Sequence, residues 1–150
     1  MEESFVRQWF GGFSESLDRM SDEERLRLLA PCAKACAESY PLGKFREAKE
    51  TATSLSTFAK RVVEVMPGVI VEADDAARRI VFRYPQCYCD LYVQKLVTTP
   101  KLCECSRQNL LYILGDLFPG SPVTVTLVKS VIAGDEICEL AASFSGEVFA

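Results

Sequence analysis

Histidine is missing from the whole chain. Its absence removes the commonest general base and the commonest metal ligand together, so a cysteine–histidine hydrolase is excluded on composition. Any zinc or iron site must then use thiolates, with carboxylates as the other protein ligands. A surplus of positive charge is missing too: 17 Lys and Arg stand against 21 Asp and Glu, a net charge of −4. Without a basic face, no nucleic-acid partner is expected. No apolar run nears the roughly 18 residues of a membrane span. Met1-Glu2-Glu3-Ser4 also carries acid where a secretory leader carries base. These absences predict no membrane partner and a cytoplasmic location. Repeats, low-complexity tracts and linkers are lacking as well. With 49% hydrophobic and 25% charged residues, the chain is expected to fold as one domain spanning 1–150.

Cysteine, by contrast, is abundant: seven occur in 150 residues. An odd number of thiols in a reducing compartment stays mostly unpaired, so a disulfide scaffold is not expected. Four of them form two Cys-X-Cys pairs, Cys87-Tyr88-Cys89 and Cys103-Glu104-Cys105. In extended chain, residues i and i+2 project to one face, so each pair points two soft thiols the same way and the two pairs together could complete a tetrahedral site for zinc or iron. Three readings stay open: a metal at Cys87, Cys89, Cys103 and Cys105; buried cysteines that only pack; or thiol chemistry at Cys105. The third rests on a helix predicted to start near Ser106, whose N-terminus, with Arg107, would favour a thiolate. Cys32 and Cys36 share a helical stripe with Leu29 and Ala33, and Cys138 alternates with Leu140, Ala142 and Phe144; burial is expected for all three. Tyr88, Tyr92 and Tyr112, with Tyr84, gather near the thiols in sequence, and their amphipathic rings suit a ligand pocket. Asp74-Asp75 and Asp22-Glu23-Glu24 read as a turn and a helix start, not as catalytic carboxylates.

Periodicity divides the chain into a helical part to about residue 66 and a strand-rich remainder. Phe5, Val6, Trp9, Phe10 and Phe13 have near-helical spacing that Gly11-Gly12 interrupts, which predicts a short helix with a hinge. Ser21 followed by Glu24 is a capping-box signature, and Pro31 should kink that helix or begin a second piece. After the Tyr40-Pro41-Leu42-Gly43 breaker, a single helix is predicted from about Phe45 to Met66. Val69–Ala73 and Arg79–Tyr84 read as a β-hairpin, and Val123–Leu127 and Ile137–Phe144 as two further strands around a helix from about Ser106 to Leu117. The order predicts an α+β fold, an antiparallel sheet covered by helices on one face.

The segment Leu102-Cys103-Glu104-Cys105-Ser106, the helix after it, Pro122-Val123-Thr124-Val125, Ser130, Gly134-Asp135 and Cys138 resembles the vinyl reductase-type small-molecule-binding domains and their relatives, among them the aminothiazoline carboxylate hydrolase-like proteins. Cys32-Ala33-Lys34-Ala35-Cys36-Ala37 is similar to a helix motif sometimes found ahead of it. The resemblance implies an α+β ligand-binding fold related to nitric-oxide-signalling and Golgi-transport domains, often a homodimer, in which cysteines bind metal or line a small-molecule cavity. The chain departs from the pattern at Gln108, at Leu140 and in having no histidine. Two functions follow as expectations: a cytoplasmic module binding a small molecule, a soft metal or both at the cysteine cluster, or an enzyme, either a small-heterocycle or carboxylate hydrolase or a thiol-based redox protein.

Overall fold

The computed structural model describes residues 2–149. Four helices come first: α1 (Glu3–Arg19), α2 (Asp22–Ser39), α3 (Pro41–Glu50) and α4 (Leu55–Val65). The hairpin β1 (Ile70–Asp74) and β2 (Arg79–Tyr84), the short α5 (Asp90–Val93), a 3₁₀ turn at Pro100–Leu102, α6 (Cys103–Leu117), β3 (Val123–Lys129) and β4 (Cys138–Phe144) complete the chain. The fold is α+β, as the sequence predicts. Its four strands lie in the order β1-β2-β4-β3, every pair antiparallel.

Alternation decides which face of the sheet is covered. Ile80 and Phe82 of β2, Val125 of β3 and Leu140, Ala142 and Phe144 of β4 are buried together with Phe45, Phe58, Leu110 and Leu114 of the helices. Aromatic rings interlock across this main core, Phe45 to Phe82 at 5.7 Å and Phe58 to Phe118 at 5.5 Å between centroids. The opposite face is polar: Arg83 holds Glu139 at 2.7 Å and Glu72 at 2.8 Å across three strands. A smaller core forms from Leu17, Leu29, Val97 and Leu102, with Phe10 and Phe13 packed against it. It fastens α1 to the segment after α5, helped by hydrogen bonds from Thr99 to Asp18 and from Arg7 to the Gln94 carbonyl at 3.0 Å.

Several local expectations are corrected. No hinge forms at Gly11-Gly12, and α1 is continuous. Each glycine costs a helix about 1 kcal/mol, which Trp9, Phe10 and Phe13, with centroids 5.2–6.0 Å apart, and the wholly buried Leu17 offset by packing. The Ser21–Glu24 capping box is present, but α2 runs through Pro31 without starting a second piece. The single helix expected over 45–66 is two helices, the first starting already at Pro41. Ser54 and Thr57 build a second capping box that starts α4, because the Thr51-Ala52-Thr53-Ser54 run supplies hydroxyls that compete with helix continuation. At the second Cys-X-Cys, Thr99 accepts from the Lys101 N–H and Pro100 leads a 3₁₀ turn directly into α6. That helix therefore starts at Cys103, three residues before its expected beginning.

Candidate functional site

Between the main and the smaller core lies a cavity of about 460 Å³. Its walls come from α2, the start of α3, the segment 86–91, α6, and the ends of β2 and β4 nearest α6. All seven cysteines line it, and all are free thiols. The two Cys-X-Cys pairs thus reach one space, although they do so by different geometry from that predicted. Cys87 and Cys89 lie on an irregular segment ahead of α5, while Cys103 and Cys105 stand in the first turn of α6. Two positions along a helix turn the side chain by about 200°. Cys103 accordingly faces Ser130, with Sγ and Oγ sharing a hydrogen bond at 3.1 Å, whereas Cys105 packs against the smaller core.

This divergence bears on metal binding. Among the described residues, no group of three or more Cys, Asp or Glu side chains is placed to hold one metal ion. Cys87, Cys89, Cys103 and Cys105 share a cavity, with Cys103 and Cys105 on different sides of the first turn of α6. Cys32 and Cys36, expected in the core, are exposed. The buried stripe of α2 is instead Arg25, Leu29, Ala33 and Ala37, each four residues from the last, which turns both thiols toward the cavity. Arg25 can lie on that stripe because its guanidinium donates to the Leu17 carbonyl at 2.9 Å, to the Met20 carbonyl and to Asp22. Cys138 is half-buried rather than buried, and its sulfur accepts from the Val131 N–H at 3.4 Å.

Burial favours the neutral thiol at four of the cysteines. Burial pushes Cys105 up to about 12 and Cys103 up to about 11, with neighbouring thiols adding to both. Desolvation also raises Cys36 and Cys87. The lowered Cys105 expected from the start of α6 is thereby reversed. Its side chain sits in an apolar wall, and Arg107 is engaged elsewhere, on Glu104 at 2.6 Å and on the Val125 carbonyl at 3.3 Å. Of the tyrosines, Tyr84 and Tyr88 line the cavity, while Tyr92 and Tyr112 stand off it. Tyr112 ties α6 to α2, donating to Glu38 at 2.8 Å with Lys34 over its ring at 5.8 Å. Burial raises Tyr84 well above the ordinary phenol value. Phe45, Met66, Leu110, Ile113 and Leu127 complete the apolar wall. In the sequence these residues are indistinguishable from core, since a cavity wall and a packed core use the same side chains.

No protein-family model matches this chain, and no curated protein matches it either. The resemblance to vinyl reductase-type domains therefore rests on its motif residues alone. Among solved structures, the fold is similar to that of a trafficking protein particle complex subunit 3 from Naegleria fowleri, covalently bound to palmitic acid. The two are 10% identical, with 97% of this chain and 96% of that one covered, at a TM-score of 0.47.

Proposed function

We propose that this chain is a small-molecule-binding domain that holds an apolar ligand in the cavity between its two cores. The observation that carries the reading is the cavity itself. At about 460 Å³ it falls within the roughly 300–1,000 Å³ of small-molecule sites, and its mostly apolar wall with a few polar groups matches their usual chemistry. Thiols that stay protonated act there as small polarizable hydrophobes. A hydrolase or redox reading draws no comparable support, because a nucleophilic cysteine needs a lowered pKa or an adjacent base.

Titration with the uncharged fluorophore N-phenyl-1-naphthylamine tests this. We expect saturable binding of one equivalent, and a rise in stability of about 2.7 kcal/mol at a free concentration a hundred times Kd. Cys138→Phe places a ring in the cavity and should weaken binding about tenfold or more, a loss of at least about 1.4 kcal/mol, with the circular dichroism of the folded chain kept. Absence of saturation in the unsubstituted protein, or equal affinity in a folded Cys138→Phe, overturns the reading.

A further inference from the structure

The cavity wall is one-sided in charge. Among the described residues it contains no lysine or arginine and Asp90, opening α5, is the one charged residue on it; the chain has no histidine. Arg7 and the N-terminus of α6, two sources of positive potential beside lining segments, are already engaged. Arg7 reaches the end of α5 but is held by Glu3 at 2.8 Å and by the Gln94 carbonyl at 3.0 Å. The N-terminus of α6 is entered through the Pro100–Leu102 turn, and its first turn carries the carboxylate of Glu104. An anion entering the cavity would lose its hydration and gain no cation in return.

Four hydroxyl or amide side chains on the wall have no hydrogen-bond partner among the described residues; Gln86, Tyr88 and Ser106 are exposed, and Tyr84 is half-buried. Tyr84 ends β2, its ring meets Tyr88 edge-on at 6.3 Å, and its hydroxyl has no hydrogen-bond partner among the described residues. No fully buried side-chain polar atom among them is left without a partner, so the free side of this hydroxyl opens on the cavity that Tyr84 lines. Asn109, with Gln86 one of the two amides on the wall, already spends a donor on the Ala33 carbonyl at 3.2 Å. A half-buried phenol hydroxyl without a protein partner gains a hydrogen bond when a ligand acceptor is placed against it.

We propose that the cavity selects uncharged apolar ligands bearing a single hydrogen-bond acceptor, such as a ketone or ester, with the acceptor docked on the Tyr84 hydroxyl and anionic ligands turned away at Asp90. The inference rests on the small-molecule reading above and names the ligand class for that site. A carboxylic acid enters only after taking up a proton, so its affinity falls about tenfold for each pH unit above its own pKa.

Displacement of N-phenyl-1-naphthylamine from the full chain by 2-octanone, octane and octanoate at pH 8 tests it. The ketone should bind about tenfold more tightly than the alkane, and octanoate most weakly of the three. Tyr84→Phe should abolish the advantage of the ketone while leaving octane unchanged, a pattern that loss of structure cannot produce. Asp90→Asn should strengthen octanoate and leave the neutral pair alone. Octanoate binding as well as 2-octanone, or an unchanged ketone-to-alkane ratio in Tyr84→Phe, overturns the selectivity while probe binding upholds the site. Failure of the probe itself to bind overturns both.

Discussion

Single residues show why Cys103 and Cys105 are held as thiols. With Cys103 near 11 and Cys105 near 12, the thiolate fractions at pH 8 are about one in a thousand and one in ten thousand. Alkylation of the folded chain by iodoacetamide, followed by peptide mass mapping, should accordingly be slow at both residues and speed up about tenfold per pH unit until pH approaches 11. A rate at Cys105 that levels off below pH 9 would contradict this. Stability moves the same way. A thiol raised above its unfolded value near 9 stabilises fully below that pH, and the contribution falls as pH climbs through 9 toward 11–12. The Cys-X-Cys spacing was visible in the sequence and does lead to one cavity. Its geometry was not, because the same two residues point together in a strand and apart in a helix, and only the early start of α6 decides between them. Cys32 and Cys36 misled for a related reason. Alanine and cysteine are both small and apolar, so the stripe Leu26-Leu29-Ala33-Cys36 and the true one ending in Ala37 look alike until Arg25 is seen to be buried.

Elements with strong local chemistry were legible. The capping box of α2, both hairpins and the stop at Pro67-Gly68 follow from residues that satisfy or deny backbone groups locally. Boundaries set by tertiary packing were not, as at α1, where aromatic contacts carry the helix across two glycines. The contrast gives a test with opposite signs. Gly68 has φ +100, and a Cβ there would lie 3.2 Å from the Tyr88 hydroxyl, so Gly68→Ala should destabilise by about 1–2 kcal/mol from left-handed backbone strain alone. Gly12 lies inside α1 with nothing within 4 Å of an added Cβ, so Gly12→Ala should stabilise by about 0.5–1 kcal/mol. Thermal unfolding of the two variants checks both; shifts of equal sign would refute the backbone argument.

At the scale of the whole molecule, two cores of unequal size share the cavity wall. The main core spans the sheet, α3, α4 and α6, while the smaller joins α1 to residues 89–102. Leu17, wholly buried, is the centre of the smaller one, and Leu17→Ala should cost about 2–5 kcal/mol. Because sub-global opening follows the weaker unit, its effect should appear first as faster amide hydrogen exchange in α1 and residues 89–102, ahead of β2 and β4. A uniform acceleration through the sheet would show a single cooperative unit instead. Trp9, the one tryptophan of the chain, sits on α1, 58% exposed and stacked on Phe13 at 6.0 Å. The chain therefore carries its one tryptophan on α1, away from the sheet, so tryptophan emission records the seating of α1 ahead of the melting of the sheet.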